Sequence, residues 1–173
     1  MLAYLGLGSN LGSRLGDAAA TVRGAAGLLG EAAAAGGWRR SRVYRTEAVG
    51  PPQPDYANAV IEIETALAPE DLLALAARTE ASFGRERGVR FGPRTLDVDV
   101  LLAGGELRSG PGLTLPHPRL GERRFVLVPL CELAPELRHP TLGLRVWELL
   151  ARLPAGARVE PWDGALRGLE RVG

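Results

Sequence analysis

Two carboxylates two residues apart, Asp97 and Asp99, follow an arginine, Arg94, at the head of the apolar run Leu-Asp-Val-Asp-Val-Leu-Leu (residues 96–102). Successive side chains of a strand alternate faces. Asp97, Asp99 and Leu101 are therefore expected on one face, and Leu96, Val98, Val100 and Leu102 on the other. Like charges pointing the same way repel, and carboxylates leaving water are costly unless paired or metal-bound. A hard divalent cation removes that cost. Magnesium takes oxygen ligands at about 2.1 Å, keeps several waters, and commonly uses one or two protein carboxylates together with substrate phosphates. Arg94 carries the planar donor fork that holds phosphate oxygens bidentately. On these residues alone, a strand end whose aspartates pair with nearby arginines is an equally good reading.

The elements that must position these groups can be read in chain order. Residues 2–8 (Leu-Ala-Tyr-Leu-Gly-Leu-Gly) have the short apolar character of a central strand. Leu15, Ala18, Ala19, Val22, Ala25, Ala26 and Leu29 recur at three- and four-residue steps, predicting an amphipathic helix that stops at Gly30. Residues 38–44 read as a basic edge strand. Residues 47–55, with Gly50, Pro51, Pro52 and Pro54, must be a loop and could close as a lid. Residues 56–67 alternate as a half-buried strand, and Pro69 followed by Glu70 and Asp71 opens a second helix that Gly84 ends. A basic loop, 85–91, then delivers the chain to the aspartate strand. Beyond it, residues 106–107 against 113–115 suggest a small hairpin, 116–125 an irregular basic stretch, and 126–133 an apolar segment broken by Pro129. Residues 145–153 read as a helix, and 155–173 form a tail without a legible element.

This order of strand, helix, strand, strand, helix, strand predicts an α+β domain with a ferredoxin-like βαββαβ core. Its sheet should be mainly antiparallel with helices packed on one side, followed by irregular and helical C-terminal additions. With 173 residues, 46% of them hydrophobic, one domain spanning 1–173 is expected. Twenty-one basic residues, all arginine, balance twenty acidic ones to a net charge of +1, which argues against a dedicated nucleic-acid surface. The single Cys131 cannot form an internal disulfide, no apolar run reaches the roughly 20 residues of a membrane span, and no charged segment precedes the first apolar run. A cytoplasmic monomer with no membrane or nucleic-acid partner is expected.

Five stretches in order resemble the 6-hydroxymethyl-7,8-dihydropterin pyrophosphokinase family of folate synthesis. They are Gly8-Ser9-Asn10, Tyr44-Arg45-Thr46, Pro54-Asp55-Tyr56-Ala57-Asn58-Ala59, the stretch from Gly92 through Arg94 to Asp99, and Pro116-His117. The resemblance implies transfer of the β,γ-diphosphate of ATP to the hydroxymethyl oxygen of the dihydropterin, with release of AMP. It implies two magnesium ions on Asp97 and Asp99, with Arg94, Arg85 and Arg87 assisting catalysis. It also implies ATP contacts from Arg94, His117, Arg123, Glu80, Arg87 and Phe91. The pterin would be held by Thr46, Val49, Tyr56, Asn58, Phe125 and Asn10, with Tyr56 and Phe125 stacking on its ring.

Phe91, Pro118, Glu47 and Ala48 depart from residues familiar in that family, at positions that bear on loop closure. ATP is expected to bind first, ordering residues 46–55 and 85–91 before the pterin site is complete. Two rival readings remain at this level: another magnesium enzyme with an Asp-x-Asp site, and a non-catalytic ferredoxin-like binding module. The Gly-Ser-Asn-Leu-Gly turn lacks the Gly-Lys-Ser/Thr ending of a Walker loop, which excludes that kinase class.

Overall fold

The alternating apolar segments at residues 2–9 and 56–64 pair at the centre of one sheet, and the other elements are arranged around them. The computed structural model describes residues 1–48, 50–84, 93–162 and 171–172. The chain runs β1 (Leu2–Ser9), α1 (Ala18–Ala33), β2 (Gly37–Arg40), β3 (Tyr44–Thr46), β4 (Tyr56–Glu64), α2 (Pro69–Ser82) and β5 (Asp97–Ala103). It continues through the hairpin β6 (Arg108–Ser109) and β7 (Thr114–Leu115), a 3-10 turn at Leu120–Glu122, α3 (Arg124–Leu133), α4 (Val146–Arg152), β8 (Val159–Pro161) and β9 (Arg171–Val172). The sheet order is β5-β1-β4, with β2 and β3 end to end along the far side of β4, and these pairings are antiparallel. This is the ferredoxin-like order expected from the sequence. Register places Gly8 between Asn58 on β4 and Asp97 on β5.

Local chemistry explains where the helices begin. Asp17 caps α1 by accepting the Ala20 N–H at 2.8 Å. Pro69 occupies the first turn of α2, with Glu70 and Asp71 facing the positive end of its dipole. Glu148 of α4 reaches back to the Arg145 N–H at 2.8 Å. Gly84, with φ of +75°, takes the left-handed conformation that terminates α2.

The structure corrects several local expectations. Gly30 does not end α1, which runs on to Ala33. A Cβ there would lie 2.2 Å from the Trp38 ring, so this glycine makes room for the indole within the helix. Residues 38–44 are not one edge strand: the chain breaks at 41–43, and β9 and β8 cover β2 and β3 respectively. The described residues of the tail 155–173 therefore contribute two strands. β4 stops at Glu64 and is buried on both faces rather than one. Pro129 lies inside α3 instead of breaking it. Proline there forfeits one backbone bond to the carbonyl four residues earlier, a loss outweighed by burial of Leu127, Leu130 and Leu133. The hairpin pairs Arg108 with Leu115, two residues later on its first strand than expected.

Helices cover both faces of the sheet, not one. On one face, Leu5, Leu7, Ile61, Ile63, Val98 and Val100 pack with α1 and α2. On the other, Tyr4, Val60, Leu101 and Leu102 pack with α3 and α4. Leu102 changes face because β5 carries an irregularity: Tyr4 opposes Leu102 while Leu5 opposes Val100, which leaves Leu101 as an extra residue.

Candidate active site

The second face is only half covered. Where α3 ends its coverage, β1 contributes Gly6 and Gly8, β4 contributes Tyr56 and Asn58, and β5 contributes Asp97 and Asp99. Missing side chains at Gly6 and Gly8 open a cavity of about 300 Å³, walled by Thr46, Glu47, Phe125, Val126, Arg94, Arg119 and Arg123. A Cβ on Gly8 would stand 3.0 Å from Asn58 Oδ1. A second cavity of about 310 Å³ lies on the other side of the same carboxylates, against Leu73, Ala76, Ala77 and Glu80 of α2 and His117. Asp97, Asp99, Arg94 and Arg123 belong to both.

Asp97 and Asp99 share a face, as their spacing requires. Arg94 Nη1 stands 3.0 Å from Asp97 Oδ1, Arg123 Nη1 3.3 Å from Asp99 Oδ2, and His117 Nε2 3.7 Å from the same oxygen. Three cationic or donor groups therefore surround the pair. Even so, burial, and then the neighbouring Asp97 charge, hold the Asp99 carboxyl above the usual carboxylate range, against the pull of His117, Arg123 and Arg94. Desolvation is the first cause, so the Asp99 charge is costly to bury even with a guanidinium beside it. Hard oxygen donors in that condition suit a magnesium-type cation that also takes waters and phosphate oxygens. Among the described residues no cluster of three or more His, Cys, Asp or Glu side chains could cage a metal.

The surrounding polar groups are oriented by specific bonds. His117 Nδ1 accepts the Arg119 backbone N–H at 3.2 Å, so the neutral ring carries its proton on Nε2, toward Asp99. Burial lowers the pKa of that ring, opposed by Asp99 and aided by Arg123 and Arg119. The Asn58 amide donates to Thr46 Oγ1 at 2.6 Å, a buried pair that fixes the polar floor of the first cavity. The Arg123 guanidinium lies 5.7 Å from the centre of the Phe125 ring. Glu80 Oε1 accepts the backbone N–H of Val98, the residue between the two aspartates, at 2.7 Å. That bond caps a donor on the outer edge of β5.

The residues singled out in the sequence thus divide into three groups. Asp97, Asp99, Arg94, Arg123, His117 and Glu80 converge on the α2-side cavity, and Thr46, Tyr56, Asn58 and Phe125 line the adjoining one. Asn10 lines neither cavity and is bonded to Gln53, Pro54 and Arg94. Val49, Arg85, Arg87 and Phe91 lie outside the described residues. Reading the sequence for chemistry passed over Gly6, Gly8, Glu47 and Arg119 as cavity walls. Gly8 had a signal in the Gly8-Ser9-Asn10 stretch, Glu47 in its departure from the residues familiar in the resembled family, and Arg119 in its place in the basic stretch 116–125; Gly6 had none.

A ferredoxin-like sheet that presents paired carboxylates, flanking arginines and two adjoining cavities fits the class of phosphotransferases with two substrate sites. The family model of 7,8-dihydro-6-hydroxymethylpterin-pyrophosphokinase (HPPK) matches residues 4–135. The chain belongs to this family. It is 45% identical over 161 residues to the 2-amino-4-hydroxy-6-hydroxymethyldihydropteridine pyrophosphokinase of Methylorubrum extorquens, covering 91% of this chain and 98% of that protein. It is 39% identical to the proteins of the same name from Synechocystis (90% of this chain, 77% of that one) and Bacillus subtilis (85% and 90%). Among solved structures, an HPPK-DHPS of Plasmodium falciparum superposes with a TM-score of 0.64 over 87% of this chain and 43% of that one. At 14% identity, that likeness speaks for the fold.

Proposed function

We propose that the chain transfers diphosphate from ATP to the hydroxymethyl group of 6-hydroxymethyl-7,8-dihydropterin, giving AMP and the pterin diphosphate, in folate biosynthesis. The observation that carries this reading is the placement of one carboxylate pair between two cavities, with Arg94 and Arg123 lining both. The α2-side cavity takes the nucleotide, and its triphosphate lies across Asp97 and Asp99. The Tyr56 and Phe125 cavity takes the pterin, whose pyrimidinone edge meets the Asn58 amide held by Thr46. Offset stacking on the two aromatic rings favours a planar heterocycle by about 1 kcal/mol per contact.

Asp97 and Asp99 would hold two magnesium ions, which supply charge neutralisation on the phosphoryl groups and a lowered proton affinity at the attacking hydroxyl. The protein's own part is positioning and electrostatics. Arg94 and Arg123 exchange their aspartate partners for phosphate oxygens as negative charge accumulates. The His117 Nε2–H donates to a phosphate oxygen on the same side. Glu80 fixes the Val98 backbone and with it the spacing of the two carboxylates. No protein nucleophile is needed. Arg85, Arg87 and Phe91 complete the nucleotide side in this reading, Val49 the pterin side, and the enzyme acts as a monomer.

The test is AMP release from ATP and magnesium, with and without the hydroxymethyl dihydropterin. Strict dependence on the pterin is expected. AMP release without it would favour a different magnesium enzyme.

A further inference from the structure

Asn10 is buried at the end of β1, and its groups reach in two directions. Toward β5, its Oδ1 accepts the Arg94 backbone N–H at 2.8 Å, and its own backbone N–H donates to the Arg94 carbonyl at 3.1 Å. Toward the loop before β4, its Nδ2 donates to Gln53 Oε1 at 2.9 Å and to the Pro54 carbonyl at 3.1 Å. Both ends of one amide are thus spent on backbone and side-chain groups far apart in the chain. Arg94 stands at the carboxylates, whereas Gln53 and Pro54 lead directly into Tyr56, a wall of the other cavity.

We propose that Asn10 is a positioning residue that couples occupancy of the nucleotide site to the affinity of the pterin site. This rests on the functional reading above. Without nucleotide, the Arg94 guanidinium is paired to Asp97. A triphosphate is a stronger, bidentate partner for it, and a shift of Arg94 toward that partner is felt at Asn10, which holds the Arg94 backbone through two bonds. The same side chain passes that constraint to Pro54, and hence to the position of Tyr56. The link is a contiguous hydrogen-bonded chain, and the coupling it carries must be reciprocal.

The experiment measures binding of 6-hydroxymethylpterin by fluorescence, with and without magnesium and a non-hydrolysable ATP analogue, in the full chain. The parent should bind the pterin more tightly with the analogue present, by the roughly 5- to 150-fold usual for linked sites. Asn10→Asp keeps the acceptor for the Arg94 N–H and removes both donors to the loop. It should abolish most of that enhancement while leaving affinity for the analogue alone within about twofold, since a coupling residue acts on the linkage rather than on either site. Enhancement equal to the parent's in this variant, or no enhancement in the parent, overturns the proposal. If Asn10→Asp does not fold, Gln53→Ala decides by the same measurement: a smaller enhancement supports the coupling and an unchanged one overturns it. A parent that binds the analogue but never the pterin would overturn the substrate assignment itself, and the coupling with it.

Discussion

The two faces of this sheet are built from the same three strands and have opposite characters. On the α1 and α2 face, Leu5, Ile61 and Ile63 are fully enclosed. On the α3 and α4 face, Tyr4, Val60 and Leu101 are enclosed in the same way, but a few residues further along the same strands stand Gly6, Gly8, Asn58, Asp97 and Asp99. Strand alternation lets one segment satisfy both demands. Residues of one parity are selected for burial, and those of the other are free to carry charge. The closed face supplies the stability that lets the open one keep two neighbouring carboxylates, each beside a guanidinium.

The largest test of that contrast lies on the open face. Asp97→Asn and Asp99→Asn should each lower kcat/KM on the order of 1000-fold, or about 4 kcal/mol. In metal-free protein, Asp99→Asn should leave the Tm unchanged or raise it. Because the folded-state pKa of Asp99 is raised, its ionised form costs stability, and that cost appears as pH rises past the ordinary value of 3.8. A clear fall in Tm would show that the carboxylate is structural.

The converse substitution, Ile61→Ala on the closed face, should cost about 2–5 kcal/mol in denaturant unfolding through lost burial and a residual cavity. Its kcat per folded molecule should stay near the parent's. Loss of activity without loss of stability would mean that the faces are not separable.

The smallest expected effect concerns His139, a buried ring in the connection between α3 and α4. Its Nδ1 faces the N–H groups of Thr141 and Leu142 at 3.4 and 3.3 Å. Burial lowers its pKa, so the folded protein resists protonating it. Stability linked to this ring is complete above its ordinary pKa of 6.5 and is lost as pH falls below that value. His139→Asn, which retains an acceptor, should flatten the decline of Tm between about pH 7 and 5. An equal decline in both proteins would assign the acid sensitivity elsewhere.

Much of this organisation was legible in the sequence, because its signals are local. The alternation of residues 56–64, Pro69 with its two acids, and the carboxylate pair each state their structure within a few residues. What could not be read depends on distant partners. Gly30 resembles a helix stop until Trp38 is seen against it. Pro129 resembles a break until the burial of its neighbours is counted. The strands in the tail are too short to show a period, and they exist because β2 and β3 offer an edge. The displacement of Leu102 follows from a slip in register with β1 that no composition records. In the candidate site the acids and Arg94 could be read from spacing. The clamp at Asn10 could not, because its partners lie 43, 44 and 84 residues away.

The far end of α3 adds one last consequence. The Leu133 carbonyl receives the Arg39 guanidinium at 2.8 Å, and Glu132 accepts the Tyr44 hydroxyl at 2.5 Å and the Arg42 N–H at 3.1 Å. The helix that carries Phe125 is thus staked to the sheet, whereas Tyr56 follows directly from a proline-rich loop. The two aromatic walls of the cavity are anchored from different sides, Phe125 through the bonds at the far end of its helix and Tyr56 through the pairing of β3 with β4.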